Sequence, residues 1–280
     1  MRKDLSDAGD GSAILMGLEQ KLSKLKRIIA GYGSCLLAFS GGLDSSFLLS
    51  LCAEVLPSNK LLAVTANSKT YPAEELLFAR KFAKQKGVRH EIICTTELEN
   101  RQFVQNSYRR CYFCKKNLFL RLKGMARKYN FNCVIDASNI SDQKDFRPGK
   151  TALKELGIFS PLVAAGFTKK DIRKLSKKMR LETWDKPSMA CLASRVPYGT
   201  KITATILNRI QRAEAFLKKI GFKQVRVRDY NDLCRVEVEE KDISLLVSKR
   251  LRVLEGLKEV GYKYITLDLA GYRTGSLNPG

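Results

Sequence analysis

Histidine is almost missing from this chain: of 280 residues, only His90 is one. A structural zinc site usually takes four nitrogen or sulfur ligands, so it would have a single imidazole to draw on. The Gly-Lys-Ser/Thr of a Walker A loop is also missing, and a kinase or GTPase reading fails with it. No apolar run approaches the ~20 residues of a membrane-spanning helix. Residues 1–12 have no apolar signal core and read as a disordered start, which makes the address cytoplasmic by default. Internal repeats and low-complexity tracts are absent. Acidic residues are scarce, with 28 Asp and Glu against 51 Lys and Arg and a net charge of +23. That surplus implies an anionic partner (nucleic acid, nucleotide or an acidic protein surface), or else solvated helix faces such as Lys169-Lys170 and Lys177-Lys178.

What is present begins with Ser40-Gly-Gly-Leu-Asp-Ser45. It follows the apolar run Cys35–Phe39, which reads as a buried strand, and precedes the helix-like Ser46–Cys52. A strand entering a helix through two glycines outlines an anion site, because backbone N–H groups approach closely and the helix dipole favours negative charge. Ser40 and Ser45 add hydroxyls. Asp44 is the odd member, since a carboxylate beside a phosphate calls for a cation between them; that suggests Mg²⁺-pyrophosphate. The bland alternative is a tight strand–helix connection. The run resembles the signature of the PP-loop ATP pyrophosphatases, in which the loop grips the pyrophosphate of ATP while an acid group is adenylated.

Strands are expected at 35–39, 61–66, 89–94 and 132–137, alternating with helices at 45–56, 72–86 and 115–129, after a first helix over 13–31. The alternation implies right-handed βαβ units and a parallel sheet with its ligand site at the strands' carboxyl ends. Residues 143–163 read as a loop and short helix, and Thr168 as an N-cap. From about 203 the order changes to helix Ala204–Ile220, strands Gln224–Arg228 and Cys234–Glu239, helix Ile243–Val260 and strand Tyr262–Leu269. The fold class is therefore α/β: a parallel-sheet domain over 13–202 and a smaller α+β domain over 203–280, whose two alternating strands suggest an antiparallel sheet with one exposed face.

Eight cysteines without a signal peptide argue for reduced thiols, metal binding or catalysis rather than a disulfide framework. Cys111-Tyr-Phe-Cys114 lies just before a helix, and Cys191 stands in a loop-rich, basic stretch. Three thiolates with an open position suit a [4Fe–4S] cluster with one exposed iron. The alternative is that they are small buried hydrophobes, as Cys35, Cys52, Cys94, Cys133 and Cys234 are expected to be.

Further motifs follow in order: Arg110–Lys116, Asp136-Ala-Ser-Asn139, Asp145–Gly149, Glu155–Leu162, Thr183-Trp-Asp-Lys-Pro187, Cys191–Gly199 and Gly271–Asn278. Together they resemble the ATP-dependent sacrificial sulfur transferase family, LarE, over residues 15–278. The resemblance implies sulfur insertion in assembly of a nickel-pincer nucleotide, with a pyridinium dicarboxylate mononucleotide as substrate and other enzymes of that assembly as possible partners. ATP adenylates a carboxylate, sulfur replaces AMP, and a thiocarboxylate results. Some members give up the sulfur of one cysteine, at the position of Cys191; others use three cysteines and a [4Fe–4S] cluster, and this chain has all three positions.

On that reading Asp44 holds Mg²⁺, while Ser40, Gly41, Gly42 and Ser45 bind pyrophosphate. Arg195 holds an acyl-phosphate oxygen or the substrate carboxylate, unless it is a surface cation. Arg226 and Arg228 bind the substrate's phosphate, or pair with Glu237 or Glu239 on the neighbouring strand. Lys115, Asp142 and Arg147 are weaker candidates, Trp184 reads as a packing residue and His90 as structural. The family resemblance also implies a homo-oligomer. A tRNA thiolase of the same superfamily is the main rival, because +23 suits a polyanion. A non-catalytic nucleotide-binding regulator is a second rival.

Overall fold

The computed structural model describes residues 8–68, 70, 73–144, 148–187, 190–273 and 277; side chains at 8–16, 73, 143 and 144 are left aside. Arg147 lies outside the described residues. The elements run α1 (Ala8–Tyr32), β1 (Cys35–Ala38), α2 (Leu43–Val55), β2 (Leu61–Asn67), α3 (Ala73–Gln85), β3 (Arg89–Cys94), α4 (Arg101–Val104), α5 (Arg110–Lys128) and β4 (Cys133–Ile135). They continue α6 (Gly149–Glu155), α7 (Pro161–Ala164), α8 (Lys169–Lys178), α9 (Ala204–Lys219), β5 (Val225–Tyr230), β6 (Leu233–Val238), α10 (Ile243–Ser248), α11 (Arg250–Val260) and β7 (Tyr264–Leu267). The first helix starts at Ala8, inside the stretch expected to be disordered.

Two compact units result. One comprises Met1–Ala66, Glu74–Ile93 and Lys115–Ser188; the other comprises Asn67–Ala73, Cys94–Cys114 and Met189–Gly280. This division differs from a single cut near residue 202, because the 67–73 and 94–114 segments pack with the C-terminal part.

The first unit holds a four-stranded sheet in the order β3-β2-β1-β4, with β1 parallel to both β2 and β4. Successive β1 side chains enter different cores. Cys35 and Leu37 join α1, α2 and α8 residues such as Leu25, Phe47 and Leu175. Leu36 joins Leu62, Val64, Phe119 and Leu122. Both faces are thus covered, which is why these strands read as continuous apolar runs rather than alternations. At the start of α8, Thr168 and Asp171 form a reciprocal capping box, as the Thr168 cap predicts.

The second unit holds a three-stranded sheet, β5-β6-β7, with β5 antiparallel to β6 and β6 parallel to β7. Its apolar core joins Val225, Val227 and Val236 to Leu217, Phe222, Val253 and Leu257. The exposed face expected of this hairpin is not there: Arg226, Arg228 and Glu237 are all buried. Arg228 pairs with Glu237, and both arginines donate to backbone carbonyls, so burial does not strand their charges. The helix expected over 243–260 breaks at Lys249, whose ammonium leaves the helix surface to donate to the Ile220 carbonyl at 2.8 Å.

Candidate functional site

In the first unit, β1 runs directly into the 40–45 loop, and Gly42 becomes the N-cap residue of α2. Gly42 has no side chain to cap with, which suits this helix start to an anionic ligand. Gly41 adopts φ +63°, and a Cβ there would stand 3.2 Å from Phe78 Cδ1 and 3.3 Å from Ala79 Cβ. Only glycine suits both the backbone angle and the contact with α3. Ser45 Oγ accepts from the Ser40 amide at 3.3 Å, lies 3.1 Å from Ser40 Oγ and donates to the Gly42 carbonyl at 3.2 Å. The loop is therefore closed by its own serines. Asp44 sits in the first turn of α2, a carboxylate beside an anion cradle, and that donor chemistry fits Mg²⁺.

Beyond β4, Asp136 is buried and accepts hydrogen bonds from the hydroxyls of Ser138 and Ser160, with Lys115 Nζ 3.8 Å away. Asp142 accepts from the Asn139 amide at 3.1 Å and closes its own short turn. His90 lies 2.8 Å from Thr65 Oγ1, and its pKa is lowered by burial first and by Arg80 second. Trp184 is not packed inside: it is exposed, with Lys177 Nζ 4.7 Å from its ring centroid.

The thiols belong to the second unit. Helix α5 begins at Arg110, so Cys111 and Cys114 lie in its first turn rather than ahead of it, i and i+3 on one face. Cys114 packs beside the cluster of Leu192, Ala193 and Val196. Cys191 is exposed. Crowding around its thiol nevertheless raises the pKa by desolvation, opposed by the Thr70 hydroxyl, the Arg110 charge and the Ala193 amide, and reinforced by Cys111. The donor chemistry fits a three-thiolate cluster, although among the described residues no three ligands close on a single metal ion. Of the other cysteines, Cys35, Cys52 and Cys234 are buried as expected, Cys133 is partly so, and Cys94 is exposed instead.

Arg110 and Asn106 escaped the reading of the sequence. Arg110 is buried and donates to the Ala193 carbonyl at 2.9 Å and to Asn106 Oδ1. Asn106, at φ 55°, donates to the carbonyls of Pro197 at 2.7 Å and Thr200 at 2.9 Å. These bonds tie the start of α5 to the segment after Cys191. Arg110 had one signal, its place directly before the CxxC; Asn106 had none.

Arg195 is no surface cation. It is fully buried, and its guanidinium grips Glu214 at 2.8 and 2.9 Å. It also donates to the carbonyls of Ala190 at 2.6 Å and Cys191 at 3.0 Å. With those bonds made, it fixes the backbone at Cys191 rather than presenting itself to a substrate oxygen. Glu214 further accepts the Val227 amide at 3.1 Å. Arg228 grips Glu237 at 2.8 and 2.6 Å and donates to the Ser194 carbonyl at 2.8 Å. Arg226 donates to the Val225 carbonyl at 2.8 Å and lies over the Tyr272 ring; its pKa is lowered by burial and then by Arg195.

Residues 30–107, which include the loop, match the asparagine synthase family. The chain is 39% identical over 93% of its length to an uncharacterized Synechocystis protein, covering 98% of that chain. It is 35% identical over 242 residues to the pyridinium-3,5-bisthiocarboxylic acid mononucleotide synthase of Lactiplantibacillus plantarum, 86% of this chain and 88% of that one. The chain belongs to the LarE family. It is accordingly an ATP-dependent enzyme of the PP-loop type. A shorter likeness, 34% over 74 residues, links it to the NH(3)-dependent NAD(+) synthetase of Chlorobaculum tepidum. Among the described residues no helix is long and apolar enough to cross a membrane.

Proposed function

We propose that this LarE member adenylates a carboxylate of a pyridinium dicarboxylate mononucleotide and converts it to a thiocarboxylate, in assembly of a nickel-pincer nucleotide. The likeness to the L. plantarum synthase over 86% of the chain carries this reading. A carboxylate is a poor acyl donor because oxide is a poor leaving group. Its oxygen attacks the α-phosphorus of ATP, pyrophosphate departs, and AMP becomes the leaving group when sulfur attacks the acyl carbon.

Ser40, Gly41, Gly42 and Ser45 hold the pyrophosphate, and Asp44 holds Mg²⁺, which supplies charge neutralisation when bound. Arg226 lends positive charge toward the substrate's phosphate, while Arg228 is held by Glu237 and the Ser194 carbonyl. Arg195 acts as a positioning residue for Cys191. Cys111, Cys114 and Cys191 hold a [4Fe–4S] cluster, which supplies an iron with a free position for sulfide. The protein works in the cytoplasm as a homo-oligomer, with the unit that carries the 40–45 loop serving as the ATP domain and the unit that carries residues 203–280 as the substrate and oligomerisation domain.

The test is pyrophosphate release and product mass with the pyridinium dicarboxylate mononucleotide. Release dependent on that acid, with a thiocarboxylate product, is expected; ATP turnover indifferent to it overturns the substrate assignment. Iron and acid-labile sulfide after anaerobic reconstitution test the cluster. Wild type should hold both and Cys191→Ala should lose them. No iron in either removes the cluster and leaves Cys191 as a sacrificial sulfur, detectable as dehydroalanine. The net charge of +23 favours the tRNA thiolase as a second reading; co-purifying tRNA with a steep salt dependence would support it.

A further inference from the structure

Lys186 is a lysine turned inward. Its ammonium donates to the Gly41 carbonyl at 3.0 Å and to Glu75 Oε2 at 2.7 Å, and lies 3.8 Å from the centroid of the Phe78 ring. Its side chain is 17% exposed and that of Glu75 9%. Glu75, Phe78 and Ala79 share one face of α3, and the same face backs Gly41. The backbone of Lys186 is itself fastened, because Arg173 on α8 donates to the carbonyls of Trp184 at 3.0 Å and Lys186 at 3.1 Å.

We propose that Lys186 is a positioning residue of the ATP loop: by holding the Gly41 carbonyl it keeps the Gly42 amide turned toward the bound anion. A trans peptide is planar, so its C=O and N–H point to opposite edges. The Gly41–Gly42 peptide has no Cβ on either side and can flip at little cost. Flipped, it would aim a carbonyl dipole at the phosphate. Lys186 favours the productive orientation by pairing with the carbonyl end. Glu75 neutralises the lysine nearby, so Lys186 acts through loop geometry rather than by adding charge to the site. This inference assumes ATP binding by the loop, as in the function proposed above.

The experiment measures MgATP dissociation constants by equilibrium dialysis, alongside KM for MgATP and kcat, for wild type, Lys186→Met, Lys186→Arg and Glu75→Gln. Loss of a ground-state amide contact raises KM and leaves kcat largely unchanged. In Lys186→Met the dissociation constant and KM should rise about tenfold or more, with kcat within about threefold. Lys186→Arg should recover part of the loss, and Glu75→Gln, which keeps the Gly41 bond, should bind MgATP within about twofold of wild type. A double variant, Lys186→Met with Glu75→Gln, removes the stranded buried carboxylate and serves if the single variant does not fold.

MgATP binding by the Lys186→Met or double variant equal to wild type overturns the proposal. So does tighter binding in Glu75→Gln, which would mean that the freed ammonium meets the phosphates directly. If wild type binds no MgATP, the functional reading itself falls.

Discussion

Thr65 has one hydroxyl proton, and the geometry gives it to the Phe39 carbonyl at 2.8 Å. The 2.8 Å contact with His90 Nε2 must then be donated by the imidazole, which fixes the neutral ring as the Nε2–H tautomer. Burial, with Arg80 nearby, lowers its pKa below 6.5. The unfolded chain therefore takes up a proton at a higher pH than the folded one. The His90 contribution to stability is fully present above pH 6.5 and is lost as pH falls through the lowered value. Being the only histidine, it gives one imidazole signal by NMR, expected to titrate below 6.5. His90→Gln should remove the corresponding slope in urea stability between neutral pH and about pH 5. A midpoint at or above 6.5 would contradict the buried setting. Arg195 makes a larger prediction. Arg195→Met strands Glu214 without its partner and should cost about 3–5 kcal/mol by urea unfolding. In native conditions the same variant should alkylate faster at Cys191, since the carbonyl bonds that fix that loop are gone.

Elements show where the sequence could be read and where it could not. The strand–loop–helix around Ser40–Ser45 was legible because two apolar runs and two glycines leave few other folds. In β5 the alternation Val225-Arg-Val-Arg228 reads as one wet face, yet both faces are buried. Alternation reports chemical contrast, and a buried ion pair gives the same contrast as solvation. One clue existed on α9, where Glu214 falls on the apolar stripe Leu207, Ile210, Leu217. Lys186 stood out only as part of the Thr183–Pro187 motif; its role was not legible, because its partners lie on the 40–45 loop and α3. Packing of α9 on α11 likewise depends on a pair that neither helix shows alone: a Cβ on Gly256 of α11 would come within 2.1 Å of the Phe216 ring of α9. Gly256→Ala is expected to destabilise by about 1–3 kcal/mol through overpacking, with Phe216→Leu in the same chain recovering part of it. Gly41→Ala should act differently. It places an L side chain at φ +63° against α3, costs roughly 1–2 kcal/mol, and should abolish MgATP binding in protein that is still folded.

At the scale of the molecule, two compact units predict that unfolding is not a single event. Trp184 is the only tryptophan and belongs to the unit that carries the 40–45 loop. Its fluorescence transition should move to higher denaturant with MgATP, while calorimetry resolves a second transition that shifts less. One coincident transition by both probes would show that the units unfold together. The patchwork of the second unit also has a meaning in time. Its Cys111–Cys114 pair is synthesised about 80 residues before Cys191, which at 5–20 residues per second leaves roughly 4–15 s on the ribosome. During that interval two of the three thiols proposed to hold the cluster exist without the segment that Arg110 and Asn106 hold. On the proposed three-thiol site, a nascent chain is for several seconds a CxxC segment without its third sulfur, and oxidants or stray metals that meet it then meet an unfinished site.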